Sequence, residues 1–263
     1  MLKLEDIEKY LDKIEQNQEL IVYKPIGMTP KEIVDIILHK TGAKKGCFVG
    51  RLDPIAFGAQ HILLNEKCRL AKDMYERNKT YRFKIIFGIE TTSLDLLGIP
   101  TISSNHLINI VKIIELLENC KKGYVQQLPI FSSYRVSNKD GLVNPLWWWA
   151  KNNRIDEIEI PKINKELYEY TIGKLDTITC HELKATAISR IDSIKRINDF
   201  NQDFLIEKWK NLEYVKNELY PILEIQVKVS SGFYIRQLVE DIGKYLDVKT
   251  TTFEIERLDY YYK

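Results

Sequence analysis

Cysteine is scarce in this sequence, and its four cysteines form no Cys-x-x-Cys pair and have no histidine at ligand spacing. A disulfide framework and a metal site are therefore not expected, and the thiols of Cys47, Cys68, Cys120 and Cys180 are predicted to be reduced and partly buried. No apolar run approaches the ~20 residues that span a bilayer. The N-terminal segment has neither the apolar core of a signal peptide nor the acid-poor composition of a transit peptide. We expect a cytoplasmic protein with no membrane partner.

An excess of charge of either sign is also missing. The 39 Lys and Arg residues against 37 Asp and Glu leave a net charge of +2, which neither demands nor excludes a nucleic-acid partner. If RNA is bound, the basic residues must be concentrated on one face. The 263 residues, 44% of them hydrophobic, suit one large globular domain or two smaller ones.

The sequence does contain a succession of helix and strand patterns. Thr29 and Glu32 mark the start of one helix, because a Thr N-cap and a Glu three residues later form a capping box. Helices are also predicted over 4–17, 106–119, 235–246 and, as a charged segment, 199–219. Strands are predicted over 20–23, 81–88, 166–178, 223–229 and 251–258. Residues 42–58 are predicted to be a loop and 124–160 an irregular aromatic segment, so the whole indicates an α+β fold with a mixed, mainly antiparallel sheet and flanking helices.

Four separated segments carry short motifs. They are KPIGMT at 24–29, GRLDPIAFG at 50–58, KTYR at 79–82 followed by Gly88 and TTSLD at 91–95, and SGFYIR at 231–236 followed by Leu238, Asp241, Ile242 and Gly243. A fifth and weaker motif is QQLPIFSSYR at 126–135, with WWWAK at 147–151. In this order the segments resemble the motifs of the TruB-type tRNA pseudouridine synthase family, over roughly residues 20–258. Leu-Asp-Pro alone occurs by chance in many proteins, but five motifs in register make the resemblance specific.

The resemblance implies a single pseudouridine synthase-like catalytic domain over residues 1–263. Within it, residues around 121–160 are expected to form a thumb-like RNA-binding insertion, called the thumb segment below, and residues around 199–219 a helical insertion. Bacterial members of the family usually continue into a C-terminal PUA domain, which is not expected here because the last match ends near Leu258. The sequence departs from the family's pattern at several positions. Cys47 and Phe48 stand where the family usually has Gly-His, and Thr92, Leu128 and Arg135 each differ from the family's usual residue.

The family's reaction breaks the N-glycosidic bond of a uridine in RNA, turns the base and rejoins it through C5, so it implies no cofactor and no metal. The resemblance makes Asp53 the nucleophile, acting on either the ribose or the base. Arg236 is expected beside Asp53, where it would keep the carboxylate ionised and oriented. Tyr81 is expected to stack on the flipped uracil and to accept a proton. Taken without their motifs, Asp53 would indicate only a turn before Pro54, and Arg236 a surface helix charge.

Further residues are expected to bind the substrate. Tyr234 and Ile255 are predicted to line the base pocket, although Tyr234, like Tyr81, also suits a core aromatic position. Asp95 is expected either to position RNA or protein backbone, or to be a solvated turn residue before Gly98. Lys24 holds loop backbone or phosphate, or else is solvated. Of the three tryptophans at 147–149, at least one is predicted to lie in the core, because three consecutive residues cannot face one way.

Three functions compete. The first is a monomeric tRNA pseudouridine synthase that acts on a uridine of the T arm, the family's usual target. The second is an enzyme like the guide-RNA-dependent relatives, which use a PUA domain to hold guide RNA. The third is a catalytically silent RNA-binding or chaperone protein, against which the retained Asp53, Tyr81 and Arg236 argue.

Overall fold

A mixed sheet runs through the centre of the protein, in a computed structural model that describes residues 1–103, 105, 107–196, 200–214 and 218–261. Within these residues the strands are β1 (Glu19–Lys24), β2 (Gly46–Val49), β3 (Phe57–Leu64), β4 (Asn78–Phe87), β5 (Ile89–Thr91), β6 (Pro100–Ile102), β7 (Tyr124–Gln127), β8 (Arg135–Ser137), β9 (Val143–Pro145), β10 (Lys162–Lys165), β11 (Leu167–Thr179), β12 (Leu219–Val229) and β13 (Thr250–Tyr261). The α-helices are α1 (Leu11–Asn17), α2 (Pro30–Thr41), α3 (Ala71–Tyr75), α4 (Ile110–Lys122), α5 (Leu146–Lys151), α6 (Cys180–Ser193), α7 (Gln202–Lys210) and α8 (Ile235–Leu246). Short 3-10 helices cover Leu4–Tyr10, Asn65–Leu70 and Ile155–Glu157.

The strand order of this sheet is β1-β3-β13-β4-β12-β11, and β2 pairs with the second half of β3. All of its described pairs are antiparallel except β3 with β13, which run parallel. Strand β13 therefore joins the β1–β3 part of the sheet to the β4–β12–β11 part. This arrangement confirms the α+β class with a mixed, mainly antiparallel sheet.

Helices pack on both faces of the sheet, and β4 at its centre is buried on both sides. On one face Phe83 and Val227 pack against α4 and α8. On the other face Ile86 and Ile222 pack against α6 and α7. Helix α2, together with α1, covers β1 and β3. The thumb segment has a separate small core, made of Leu128, Val136, Leu146 and Trp149.

Local sequence signals explain where several elements begin. Helix α2 starts with the predicted capping box: the Glu32 backbone N–H donates to Thr29 Oγ1 at 3.3 Å, and the Thr29 N–H donates to Glu32 Oε2 at 2.8 Å. The full burial of Trp149, within the tryptophan triplet, confirms that at least one of the three lies in the core. All four cysteines are free.

Some sequence expectations are wrong. Residues 42–58 are not simply a loop, since 46–49 form β2 and β3 begins at Phe57. The helical segment expected over 199–219 is shorter: α7 covers only 202–210, because Leu205 and Trp209 hold it against α6 before the chain turns at Asn211. Residues 199 and 215–217 of that segment lie outside the described residues.

Candidate active site

A cleft of about 470 Å³ opens on the face of the sheet that carries Tyr81 and Ile255. Its other walls are the Asp53 loop (residues 50–56), the N-terminus of α8 and residues 132–135 of the thumb segment. A cavity of this volume is typical of sites that enclose one small ligand.

A tight turn presents Asp53 to the cleft. The Ala56 N–H donates to the Asp53 carbonyl at 3.1 Å, and Pro54 supplies the fixed φ that suits the second position of such a turn. Lys24 lies beneath this turn, fully buried, and its ammonium donates to the carbonyls of Pro25, Pro54 and Ala56 at 3.0, 3.1 and 2.5 Å. The backbone of the loop is therefore held from below, and the side chain of Asp53 remains 32% exposed.

A glycine allows the next strand to approach this loop. Gly58 has a φ of +101°, and an added Cβ would lie 2.3 Å from the carbonyl oxygen of Arg257 on β13. Any side chain would push β13 away from β3. The parallel contact that brings β13 beside the Asp53 loop thus requires glycine at this position.

The guanidinium of Arg236 lies at the centre of the site. It is 3% exposed, and its Nε forms an ion pair with Asp53 Oδ2 at 2.9 Å. Its Nη1 donates to the Ser93 carbonyl at 2.8 Å, and its Nη2 donates to the Phe131 carbonyl in the thumb segment at 3.0 Å. One side chain therefore connects the Asp53 loop, the turn at residues 91–98 and the thumb segment.

Two carboxylates flank Arg236, and their surroundings differ. Asp95 Oδ2 is 3.7 Å from Arg236 Nε, but its side chain is only 5% exposed. Its Oδ1 accepts hydrogen bonds from Ser93 Oγ at 2.6 Å and from the Leu97 N–H at 3.0 Å. Burial raises the pKa of Asp95, and the nearby charge of Arg236 opposes that shift. Asp53 is therefore the carboxylate of the pair that faces the cleft.

The charges of Asp53 and Asp95 also keep Arg236 charged. Burial works against its charged form, but these two carboxylates outweigh it and the pKa of Arg236 is raised. A buried guanidinium with two carboxylates and two backbone carbonyls is well satisfied, so it can hold Asp53 in a fixed orientation.

Aromatic and aliphatic side chains form the apolar part of the cleft. Tyr81 on β4 and Ile255 on β13 are 8% and 9% exposed and lie on the same sheet face. Tyr234 precedes α8, and its backbone forms two hydrogen bonds with the amide of Gln126: the Tyr234 N–H donates to Oε1 and Nε2 donates to the Tyr234 carbonyl, both at 2.8 Å. Burial raises the pKa of the Tyr234 hydroxyl to about 12.

The structure brings together most of the residues singled out from the sequence. Asp53, Tyr81, Tyr234, Arg236 and Ile255 all line the cleft. Lys24 and Asp95 do not: both are buried below its surface, where they hold the Asp53 loop and Arg236, respectively. Lys24 was expected either to hold loop backbone or phosphate or to be solvated, and the structure shows that it contacts loop backbone. Asp95 lies in a buried turn and not in a solvated one.

Several residues of the site and its surroundings received no predicted role from the sequence. Arg257 lies two residues after Ile255 on β13, and this spacing places both on one face of a strand, a signal that would have found it. Gln126 belongs to the quoted thumb motif but received no role. Cations dominate the lining, with a single carboxylate against five basic side chains: Asp53 faces Arg51, Lys79, Arg135, Arg236 and Arg257. The cleft therefore concentrates positive charge although the whole chain is nearly neutral.

Within the described residues, no group of three or more His, Cys, Asp and Glu side chains is placed to hold a metal ion. In the same part of the chain, no helix is both long enough and apolar enough to cross a bilayer.

The model of the TruB family pseudouridylate synthase N-terminal domain matches residues 38–188, more than half of the chain. The chain belongs to the TruB pseudouridylate synthase family. This confirms the resemblance carried by the five motifs.

Other members of the TruB family are similar along most of this chain. A protein of Caldanaerobacter subterraneus subsp. tengcongensis named tRNA pseudouridine synthase B is 31% identical over 231 residues, which are 87% of this chain and 64% of the relative. A protein of the same name from Aquifex aeolicus is 27% identical over 239 residues, 91% of this chain and 67% of the relative. The chain thus spans about two thirds of the length of these curated relatives.

Solved structures agree with the fold. A crystal structure of a Cbf5-Nop10-Gar1 complex contains a chain that superimposes with a TM-score of 0.56 at 16% sequence identity. The match covers 99% of the TruB-family chain described here and 53% of that chain. The likeness supports the same α+β architecture.

Proposed function

We propose that this chain is an RNA pseudouridine synthase that isomerises a uridine in the T arm of tRNA, with Asp53 as its nucleophile. The observation that carries the proposal is the ion pair between Asp53 and the buried Arg236 at the mouth of a basic cleft. Membership in the TruB family and the name tRNA pseudouridine synthase B of its relatives support the reaction and the class of RNA.

The substrate uridine has to leave the RNA stack to reach Asp53. Extrusion of a base costs a few kcal/mol, which contacts in an enzyme pocket offset. The apolar surfaces of Tyr81 and Ile255 offer such contacts, because a uracil ring can stack on an aromatic side chain and pack against an aliphatic one. The cleft volume of about 470 Å³ suits one extruded nucleotide.

Asp53 acts next, as the nucleophile that carries the ribose or the base in a transient covalent adduct. The bond between uracil N1 and ribose C1′ breaks, the base turns, a new bond joins C5 to C1′, and the bond to Asp53 breaks again to release the carboxylate. Either site of attack requires one ionised carboxylate that faces the cleft. The ion pair with Arg236 at 2.9 Å holds this carboxylate in a fixed orientation.

A proton must finally leave C5 of the base. Tyr81 is the candidate acceptor because it lines the cleft, and its hydroxyl donates to no acceptor among the described residues. A hydroxyl without a structural partner is available for proton transfer.

The direct test uses an unmodified tRNA transcript. Pseudouridine has the same mass as uridine, so its position is mapped by chemical derivatisation after incubation with the protein. We expect one new pseudouridine in the T arm. Modification confined to another part of the RNA would contradict the T-arm target, and no modification of any tRNA transcript would contradict the proposed function.

The Asp53→Asn variant tests the nucleophile. The substitution removes the charge at nearly constant shape, so we expect folding and RNA binding to persist while the rate falls at least about a thousandfold. The matched control is Asp35→Asn, at an exposed aspartate on α2 far from the cleft lining. Residual activity of Asp53→Asn above about 1% of the wild-type rate would exclude a nucleophilic role.

A further inference from the structure

Three cationic side chains lie close together near Tyr81: Lys79 and Arg257 line the cleft, and Lys165 lies next to its wall at Gly232. Lys79 Nζ donates to Ser231 Oγ at 3.0 Å, and Lys165 Nζ donates to the Ser231 carbonyl at 2.6 Å. A Cβ added at Gly50 would lie 3.3 Å from Arg257 Nη1 and 3.6 Å from Lys79 Cε. All three cations are therefore grouped around the same short stretch of the cleft wall.

The cluster has no counterion within the described part of the chain. Its members donate to backbone carbonyls, a hydroxyl and an amide oxygen, and none forms an ion pair with a carboxylate. Arg257 Nη1 has no acceptor at all among the described residues, although Arg257 is only 1% exposed. Arg236, by contrast, has carboxylates beside it.

Holding these charges together without an anion is unfavourable. Burial, together with the charges of Arg257 and Lys165, lowers the pKa of Lys79 to about 7. Glu76 opposes the shift but is not ion-paired with either lysine in the described structure. Buried charges are normally paired, and positions that leave cations unpaired in a cleft are typical of sites that bind an anion.

The anion is identified by what occupies the rest of the cleft. The following step rests on the proposed function, in which an extruded uridine lies against Tyr81 and Asp53. Uracil and ribose are neutral, so the phosphodiester groups on either side of this nucleotide are the only anions that the RNA brings to the cleft. We propose that Lys79, Lys165 and Arg257 form a subsite for a phosphodiester that flanks the target uridine.

The subsite is preorganised. Two lysine ammoniums are fixed by Ser231, and the guanidinium of Arg257 is fixed by the Ala59 and Gly50 carbonyls, at 2.7 and 3.2 Å. The cations therefore lose little side-chain entropy when the phosphate binds. The lysine at position 165 ends β10, which pairs with β7 of the thumb segment, so the phosphate contacts both walls of the cleft.

The test replaces one RNA phosphate at a time. T-arm stem-loops carrying a neutral methylphosphonate on the 5′ or the 3′ side of the target uridine are compared with the unmodified stem-loop. For the wild-type protein we expect one of the two linkages to raise KM roughly tenfold or more, the loss of one charge-assisted contact. Lys165→Met should raise KM for the unmodified RNA to a similar extent, and combining the two changes should add little.

Lys162→Met is the matched control, because Lys162 lies on the same strand but is exposed, whereas Lys165 is half-buried and donates to the Ser231 carbonyl. If the increases in KM caused by Lys165→Met and by the methylphosphonate multiply when the two changes are combined, the subsite is overturned. Effects that multiply are independent of each other, and independent effects exclude a shared contact. Equal KM values for all three stem-loops with the wild-type protein would overturn it as well.

A measurement without RNA separates this proposal from the proposed function. Inorganic phosphate should raise the melting temperature of the wild-type protein and of Lys162→Met more than chloride does at equal ionic strength. The rise should be smaller for Lys165→Met. Equal phosphate effects on the three proteins would refute the subsite, whereas failure of the wild-type protein to modify the stem-loop would refute the proposed function alone.

Discussion

The wall of the cleft formed by β4, β13 and the Asp53 loop is continuous with the main core, whereas the thumb segment opposite packs around a small core of its own. Tyr81 and Ile255 belong to the large apolar cluster beneath α4 and α8. The thumb segment is held together by four buried residues, among them Leu146 and Trp149. The groups assigned to the chemistry thus rest on the wall that shares the main core.

The two walls are connected at the base of the thumb segment, where Tyr124 packs into the main core and its hydroxyl donates to Asp241 at 2.5 Å. Gln126 at the base of the thumb segment exchanges two hydrogen bonds with the Tyr234 backbone, and Arg236 donates to the Phe131 carbonyl. Catalytic precision and RNA contact can therefore depend on separately packed parts of the chain. This division predicts that substitutions in the sheet wall lower kcat, while those at the thumb junction mainly raise KM.

The largest effect within this comparison is expected for Tyr81→Phe. The ring remains and keeps its stacking surface, so RNA affinity should stay near normal. Loss of the hydroxyl should lower kcat by roughly 100- to 10,000-fold, the range for loss of a general acid or base. Tyr170→Phe is the control, since the Tyr170 hydroxyl donates to Glu118 at 2.8 Å and does not face the cleft. An unchanged rate would leave Tyr81 with a stacking or core role only.

Arg236→Lys should come next. A lysine can carry the charge, but it cannot reach Asp53, the Ser93 carbonyl and the Phe131 carbonyl in the planar arrangement of a guanidinium. We expect kcat/KM to fall roughly 10- to 100-fold, measured by single-turnover pseudouridine formation. Arg82→Lys, at an exposed arginine paired with Glu256, is the control. Full activity of the Arg236→Lys variant would remove this residue from the site.

Gln126→Leu tests the junction itself. The substitution leaves the partly buried Tyr234 N–H without its acceptor, which should destabilise the fold by about 1–3 kcal/mol in denaturant unfolding. Because the thumb segment is then less firmly placed, KM should rise roughly tenfold with a smaller change in kcat. The exposed neighbour Gln127, changed to Leu, provides the control. A fall in kcat with constant KM would show that the thumb junction acts on the chemical step.

The smallest effect is expected for Phe48→His, which restores a residue that the family usually carries. Phe48 lines the cleft, and the guanidinium of Arg51 lies 5.5 Å from its ring centroid. Loss of a partly exposed contact of this kind is worth only about 0.5–1 kcal/mol, so activity should stay within about fivefold of wild type. Complete inactivation would mean that this part of the cleft is built differently from the family's pattern.

The sequence predicted the cleft better than it predicted the chain around it. Asp53, Tyr81, Tyr234, Arg236 and Ile255 could be found because each lies within a motif or at a fixed spacing from one. Lys24 and Asp95 belong to the same motifs, yet only the structure shows that they support the loop and Arg236 from below. A motif singles out a residue, but it does not show whether the side chain contacts substrate or protein backbone.

The wrong predictions of secondary structure also have physical reasons. Strand β3 is buried on both faces, so it lacks the alternation that reveals half-buried strands such as β12. The proposed anion subsite is not evident from the sequence because Lys79, Lys165 and Arg257 are far apart in it. Only strand pairing and the turn at Ser231 bring them together.

Strand β13 has a consequence for how the protein is made. It lies between β3 and β4 in the sheet but follows both of them in the chain, after β12 and α8. During translation, Asp53 and Tyr81 therefore emerge from the ribosome long before the strand that joins their two parts of the sheet. Until residues 250–261 emerge, the nascent chain holds two unjoined sheet edges, which are aggregation-prone surfaces. Translation speed and chaperone access during synthesis of these residues should therefore govern the yield of folded protein.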